Sequence, residues 1–254
     1  MNTRHDISYR VKEAARNLCR HAGELAYDLS RMFFPVCCPV CHKALVKGEN
    51  LLCLECLWKL PRTGYHLSAD NELIHKLVDI NAPVEKAASY FFYKNSSPYS
   101  RLIRDAKYNG QPTINRSLAR EFARELRPAG FLDDIDLIIP VPVHWSKRLR
   151  RGYNQTDYIA RGISDVSAIP VSYNLRAKRR HTTQTHKTGK ERRSASLDVF
   201  KVIEPDMLAG KHVLLVDDVI TTGSTILSCA RVLHNNVEGL RLSILSLAAT
   251  RLGQ

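Results

Sequence analysis

A chain of 254 residues, 44% of them hydrophobic, is long enough for one full domain and a smaller satellite and too apolar to be disordered. Its formal charge of +13 is concentrated: Arg176 to Arg193 (RAKRRHTTQTHKTGKERR) contributes +7 and Lys147 to Arg151 (KRLRR) +4, so the remainder is nearly balanced. Positive charge gathered in this way marks a site for phosphate, on a metabolite or on a nucleic acid, unless these are solvated loops that serve only solubility.

The first predicted element is a helix. Val11, Ala15, Leu18, Ala22, Leu25, Leu29 and Met32 recur at alternating spacings of four and three, giving one apolar stripe, and Pro35 ends it. The stripe reads as a surface that docks on the protein's own body, with a membrane-surface or DNA-binding helix as alternatives. Charges every few residues keep this segment from forming the apolar run of a signal peptide or membrane span, which predicts a cytoplasmic protein.

A cysteine-rich module follows. Cys38-Pro-Val-Cys41 and Cys53-Leu-Glu-Cys56 form two C-x-x-C pairs separated by eleven residues. Each pair suits a tight knuckle with both thiolates on one ion, and two knuckles complete a tetrahedral four-cysteine zinc site. Four thiolates leave no open position, so the Zn2+ is expected to be structural. Cys37 neighbours Cys38 and competes with it as a ligand; Cys38 gives the knuckle spacing. An odd count of seven cysteines without an export signal argues for reduced thiols, with Cys19 and Cys229 as helix-packing residues.

A polar connector around Gly64 to Asn71 leads into an alternation of strand and helix. Strands are predicted from Ala87 (AASYFFY), at Leu137 to Val141 (LIIPV), at Val213 to Val216 and at Leu240 to Leu247; helices at Ser100 to Tyr108, Thr113 to Leu126, Asn154 to Gly162 and Ser224 to Leu233. This is an α/β pattern whose ligand sits beyond the carboxyl ends of parallel strands. The expected organisation is an N-terminal helix (1–34), a zinc module (35–63), a linker (64–86) and an α/β domain (87–254).

The stretch VLLVDDVITTGST, Val213 to Thr225, carries the chemistry. Its aliphatic run is that of a central strand buried on both faces. Asp217 and Asp218 cannot both point into the core, because strand side chains alternate, so they emerge where a ligand binds and can accept hydrogen bonds from vicinal hydroxyls. Thr221, Thr222, Gly223, Ser224 and Thr225 then cross from strand to helix with hydroxyls, a glycine permitting close backbone approach, and the free amides of a helix start. That combination suits the 5-phosphate of a ribose.

This stretch resembles, without a gap, the phosphoribosyl pyrophosphate (PRPP) signature of type I phosphoribosyltransferases. IPVPVHWSKRLRRGYNQ (Ile139 to Gln155), LIRDAKYNG (Leu102 to Gly110) and the four cysteines extend the resemblance to the ComF family, competence proteins of the ComFC and GntX type, from about Pro35 to Ala249. The resemblance implies a phosphoribosyltransferase-like parallel sheet flanked by helices. It implies that Asp217 and Asp218 hold the ribose hydroxyls and Thr221 to Thr225 the phosphate. It places Val141, Pro142, Val143 and His144 around the pyrophosphate, with Arg148, Arg151 and Tyr153-Asn154-Gln155 lining or bracing that loop.

A basic hood loop, or a nucleic-acid surface, is implied for Arg176 to Arg193, including Lys178, Arg179, Arg180, Thr182 or Thr183, Gln184, Glu191 and Arg192, ahead of Phe200. Where the family usually has Asn-Val after its Glu-Arg pair, this chain has Ala195-Ser196. The implied reaction transfers a phosphoribosyl group from PRPP with Mg2+ as cofactor, to an acceptor no motif identifies; no residue stands out as a general base, His144 being the best candidate against the more ordinary role of a phosphate or backbone contact. The second class of function is a single-stranded-DNA-binding adaptor that works with competence-machinery proteins in natural transformation and uses the pocket for nucleotide or phosphate recognition.

Overall fold

The computed structural model describes residues 34–79, 82–108, 110–143, 151–178 and 199–251. The predicted N-terminal helix lies outside these residues. The described residues divide into two compact units, one ending at Leu57 and the other beginning at Trp58.

The first unit is held by turns. Cys37 and Ala44 face each other in an antiparallel bridge, and within that reversal Cys38 N–H donates to the Lys43 carbonyl and His42 N–H to the Cys38 carbonyl, both at 2.8 Å. Glu49 accepts from Val46 N–H at 2.9 Å and from Leu54 N–H at 2.7 Å, anchoring the start of helix α1 (Leu54–Trp58). Leu45, Leu52 and three of the cysteines are buried. The described residues of this unit bury little apolar area, and a cross-link among the cysteines would help to hold them.

From Trp58 onward the order is α2 (Glu72–Lys76), β1 (Lys86–Phe92), α3 (Ser100–Tyr108), α4 (Thr113–Leu126), β2 (Leu137–Pro140), α5 (Gln155–Ser167), β3 (Leu175–Ala177), β4 (Phe200–Val202), β5 (His212–Ile220), α6 (Ser224–Asn236) and β6 (Arg241–Ala249). Every predicted strand and helix from Ala87 on is present, several of them longer than the sequence pattern shows. Strands β1, β6, β5 and β2 lie in that order in one parallel sheet, and β3 and β4 form an antiparallel pair. Val213, Leu214, Leu215 and Val216 are fully buried, as their continuous aliphatic character requires, each contributing about 1.5–3 kcal/mol.

Helix α2 is a short element that periodicity does not reveal, since within its five residues only Leu73 is buried, with Ile74 half-buried against the core and Leu77 just past its end. Its start is nonetheless well specified: the Asn71 side chain accepts from Leu73 N–H at 3.0 Å and Ile74 N–H at 3.1 Å.

The connections decide where a site can form. Beyond β2, Val171 pairs with Ile138 in parallel, Ile138 N–H donating to the Pro170 carbonyl at 2.9 Å and Ser172 N–H to the Ile138 carbonyl at 2.8 Å. The chain therefore leaves β2 outward through α5, whereas it leaves β5 in the opposite sense through α6 to β6. Right-handed crossovers then put α5 and α6 on opposite faces of the sheet, and the point of reversal lies between the carboxyl ends of β2 and β5. Helix α6 covers the face of Val213 and Leu215. On the other face α5 packs against α4 so tightly that a Cβ on Gly162 would lie 2.5 Å from the Arg116 carbonyl oxygen.

One expectation needs adjustment. The strand does not stop at Val216 but runs through both acids to Ile220, because β6 keeps pairing with it: Asp217 opposite Ser246, Val219 opposite Ala248. On the other side β2 ends opposite Val216, with Val141 N–H donating to the Val216 carbonyl at 2.9 Å as the last bond of that seam. Among the described residues no strand pairs with the β2-facing edge of β5 past Val216, and the acids lie along that edge.

Candidate functional site

Asp217 and Asp218 leave β5 on opposite faces of the sheet. The Asp217 carboxylate accepts the backbone N–H of Asp218 at 2.8 Å. Burial, followed by the charge of Asp218, pushes the Asp217 carboxyl up to about 7, against the opposing pull of that N–H and of Lys107. Asp218 is ion-paired through Oδ2 to Lys107 Nζ at 2.9 Å.

Immediately after the strand, residues 219–226 and Asp217 line a concavity of about 200 Å³. Thr221, Thr222, Ser224 and Thr225 are exposed in it, and Gly223 is buried beneath. Gly223 caps α6 with φ of +78°, a left-handed conformation that a side chain resists, and a Cβ there would lie 2.7 Å from Leu77 Cδ2. Thr222 Oγ1 accepts Ser224 N–H at 3.4 Å and donates to Ser224 Oγ at 3.2 Å, folding the hydroxyls over the helix start. The first-turn amides of α6 and the positive end of its dipole open on the same space, which suits a phosphate.

The loop is braced from behind by residues distant in sequence. Lys76 Nζ donates to the Thr250 carbonyl and to Thr250 Oγ1, both at 3.0 Å, and Thr250 Oγ1 donates to the Thr221 carbonyl at 3.2 Å. Burial lowers the pKa of Lys76.

Val141, Pro142 and Val143 follow directly after β2. Val141 is buried, and its carbonyl accepts from Thr156 Oγ1 at 2.7 Å and from Asn154 Nδ2 at 3.3 Å. Arg151 Nη1 donates to Gln155 Oε1 at 3.1 Å, and Tyr153 Oη to the Ala106 carbonyl at 2.8 Å. The Tyr153-Asn154-Gln155 group thus ties the end of β2 and the end of α3 together, and Lys107, one residue past Ala106, reaches Asp218. Lys178 sits at the end of β3, its N–H donating to the Val199 carbonyl at 2.7 Å. His144, Arg148, Arg179, Arg180, Gln184 and Arg192 lie outside the described residues.

Lys107, Lys76 and Thr250 were not legible as site residues. LIRDAKYNG carries Lys107 beside the buried Leu102, Ile103 and Ala106 of α3, so its motif marked the segment without marking that residue. Lys76 and Thr250 meet across a separation of 174 residues, and no local pattern pairs them.

In the first unit, one sulfur from each of Cys38, Cys41, Cys53 and Cys56 lies within 4.8 Å of all the others. Cys41 Sγ and Cys53 Sγ are 3.5 Å apart, and Cys56 N–H donates to Cys53 Sγ at 3.4 Å. Tetrahedral zinc with bonds of about 2.3 Å needs its sulfurs about 3.8 Å apart, so the donor set fits such an ion. Cys38 is fully buried in the cluster, whereas Cys37 is exposed and lies 3.5 Å from the Pro35 carbonyl. The cluster can hold a metal ion through Cys38.

Residues 149–249 match the model of the phosphoribosyl transferase domain. Over 211 residues, spanning 80% of this chain and 92% of the relative, the sequence is 30% identical to Competence protein F of Haemophilus influenzae. The chain belongs to the ComF family. A second relative, DNA utilization protein YhgH of Escherichia coli K12, is 28% identical over 203 residues, 78% of this chain and 84% of its own. Among solved structures, the glutamine PRPP amidotransferase of B. subtilis aligns with a TM-score of 0.38 and 18% identity over 52% of this chain and 26% of that chain. This ComF-family chain therefore carries a parallel sheet flanked by helices of the phosphoribosyltransferase class together with a four-cysteine cluster. No helix among the described residues is long and apolar enough to cross a membrane.

Proposed function

We propose that the protein binds PRPP, or a closely related phosphorylated ribose, and transfers its phosphoribosyl group to an acceptor that the sequence leaves unnamed. The observation that carries this reading is the continuity of the two halves of the site: Asp217 lines the same concavity as Thr221–Thr225 and the start of α6, and Asp218 is the next residue of the strand. In this reading the carboxylates take the ribose 2- and 3-hydroxyls, Thr221, Thr222, Gly223, Ser224 and Thr225 take the 5-phosphate, and residues 141–144 with Arg148 and Arg151 face the pyrophosphate. The bond from C1 to pyrophosphate breaks as the acceptor's lone pair bonds to C1, and the protein serves by positioning the diol and both phosphate groups. His144, which lies outside the described residues, would be the candidate to take the acceptor's proton.

Mg2+ would enter on the ligand, held by its oxygens and by water, and would neutralise the leaving pyrophosphate. A dedicated carboxylate cage is not part of the site, since Asp218 is already committed to Lys107. Cys38, Cys41, Cys53 and Cys56 would hold a structural Zn2+. The test is thermal unfolding with Mg2+ and PRPP. The wild type is expected to be stabilised, and a variant with Asp217→Ala and Asp218→Ala is not; no shift in the wild type would refute the reading.

A second reading is supported by the relatives' names, which refer to competence and DNA utilization. Here the protein is a single-stranded-DNA adaptor that acts with competence-machinery proteins. The rings of Tyr153 and Tyr158 meet edge to face with centroids 5.9 Å apart, near Arg151 and Arg161, a mixture of aromatic and basic groups that suits stacked bases on a charged strand. A salt-dependent gel shift with single-stranded DNA should then weaken when Lys178, Arg179 and Arg180 are neutralised; unaltered binding would remove them from the interface.

A further inference from the structure

Because Asp217 and Asp218 leave the strand on opposite faces, different helices furnish their surroundings. Asp218 faces α3, where its Oδ2 lies 2.9 Å from Lys107 Nζ and only 15% of its side chain is exposed, against 22% for Lys107. That lysine is delivered by an anchored helix end. Leu102, Ile103 and Ala106 of α3 are buried, and Tyr153 Oη holds the Ala106 carbonyl at 2.8 Å.

Asp217 is differently placed. It accepts the N–H of Asp218, and the buried thiol of Cys229 on α6 feels its charge. Among the described residues, the charged and titratable groups that act on Asp217 are Asp218 on its own strand, Lys107 on α3 and Cys229 on α6. Lys107 is the cation of that set, and its contact is with the neighbouring acid.

We propose that Lys107 is a positioning residue that divides the acid pair, engaging Asp218 in an ion pair and leaving Asp217 as the acid that gains and loses the proton. Two adjacent carboxylates at the edge of a buried strand cannot both carry an uncompensated charge without raising one another's proton affinity. A single ammonium on one of them settles which acid yields. The upward shift of Asp217, opposed by Lys107, agrees with this division. The consequence for binding rests on the phosphoribosyl reading: Asp218 serves a diol only as an acceptor, whereas Asp217 accepts when charged and donates when protonated.

The division is tested without any ligand by carboxyl-carbon NMR titration of the full chain. In the wild type Asp217 should titrate near neutrality. In Lys107→Met its midpoint should rise, as expected for loss of a nearby opposite charge, and Lys107→Arg should restore it. An unmoved midpoint in Lys107→Met overturns the proposal. Should that variant fail to fold, Asp218→Asn provides the complementary reading: the Asp217 midpoint should fall, and an unmoved midpoint again overturns the proposal.

A calorimetric titration with Mg2+ and PRPP forms the second arm. If the ligand takes charged Asp217, wild-type binding measured at a pH below both midpoints should weaken in Lys107→Met by about tenfold for each unit by which the Asp217 midpoint rises, and recover in Lys107→Arg. No binding to the wild type would overturn the phosphoribosyl reading, while the carboxyl titration would still decide the division of the pair. Equal binding by wild type and Lys107→Met would overturn the consequence for the ligand.

Discussion

Gly223→Ala should damage both stability and the phosphate loop, and the structure separates two contributions to the damage. The first is conformational: φ of +78° is left-handed, and forcing a residue with a side chain into that region costs about 1–2 kcal/mol. The second is steric: the added Cβ would lie 2.7 Å from Cδ2 of Leu77, which is itself buried, so either the α2 end or the loop must move, at a cost of about 1–3 kcal/mol. Together these give about 2–5 kcal/mol, which for a chain of this size lowers the melting temperature by roughly 4–20 °C. Gly64→Ala isolates the first contribution, because Gly64 has φ of +70° and nothing within 4 Å of its would-be Cβ. Differential scanning calorimetry of the two variants measures the difference directly. If Gly223→Ala melts no lower than Gly64→Ala, the steric argument, and with it the close seating of α2 against the loop, is refuted.

Other outcomes follow from the same geometry. Asp217 is raised in the folded state from an ordinary carboxyl value to about 7, so between about pH 4 and pH 7 the folded protein holds a proton that the unfolded chain has lost. Stability attributable to this group therefore falls as pH rises through that window, and Asp217→Asn should gain on the wild type from pH 5 to pH 8 in urea unfolding; a constant difference would contradict it. If the cluster holds a structural zinc ion as proposed, Cys56→Ser should no longer hold it and should destabilise the cysteine module, while Cys37→Ser should hold it, as read by metal analysis of the purified chains. Gly162→Ala places a methyl group 2.5 Å from the Arg116 carbonyl oxygen, where backbone cannot yield cheaply, and should destabilise by about 1–3 kcal/mol in chemical denaturation.

Much of the site was legible because its chemistry is local. Asp217, Asp218 and the Thr221–Thr225 loop occupy one strand, one turn and one helix start, and Cys38, Cys41, Cys53 and Cys56 are paired by spacing alone. Knuckle spacing favours Cys38 over Cys37, and in the fold Cys38 is buried within the cysteine cluster while Cys37 is exposed. Helix α2 escaped detection because five residues with one buried side chain make no period. The extent of β5 escaped for a different reason: two acids end an aliphatic run, yet pairing with β6 carries the strand past them.

By itself the sequence determined the alternation of the main strands and helices from Ala87 on, the four clustered thiols and the strand–turn–helix stretch of the candidate site, since each is written in residues close together along the chain. Tertiary structure alone decided that β2 stops one residue short of the acids, that the crossovers diverge between β2 and β5, and that Lys107 rather than one of the many other basic residues reaches Asp218. These are matters of which distant segments share a sheet edge or a helix end. Strand pairing and side-chain reach depend on the whole packed arrangement, and no short stretch of the chain encodes them.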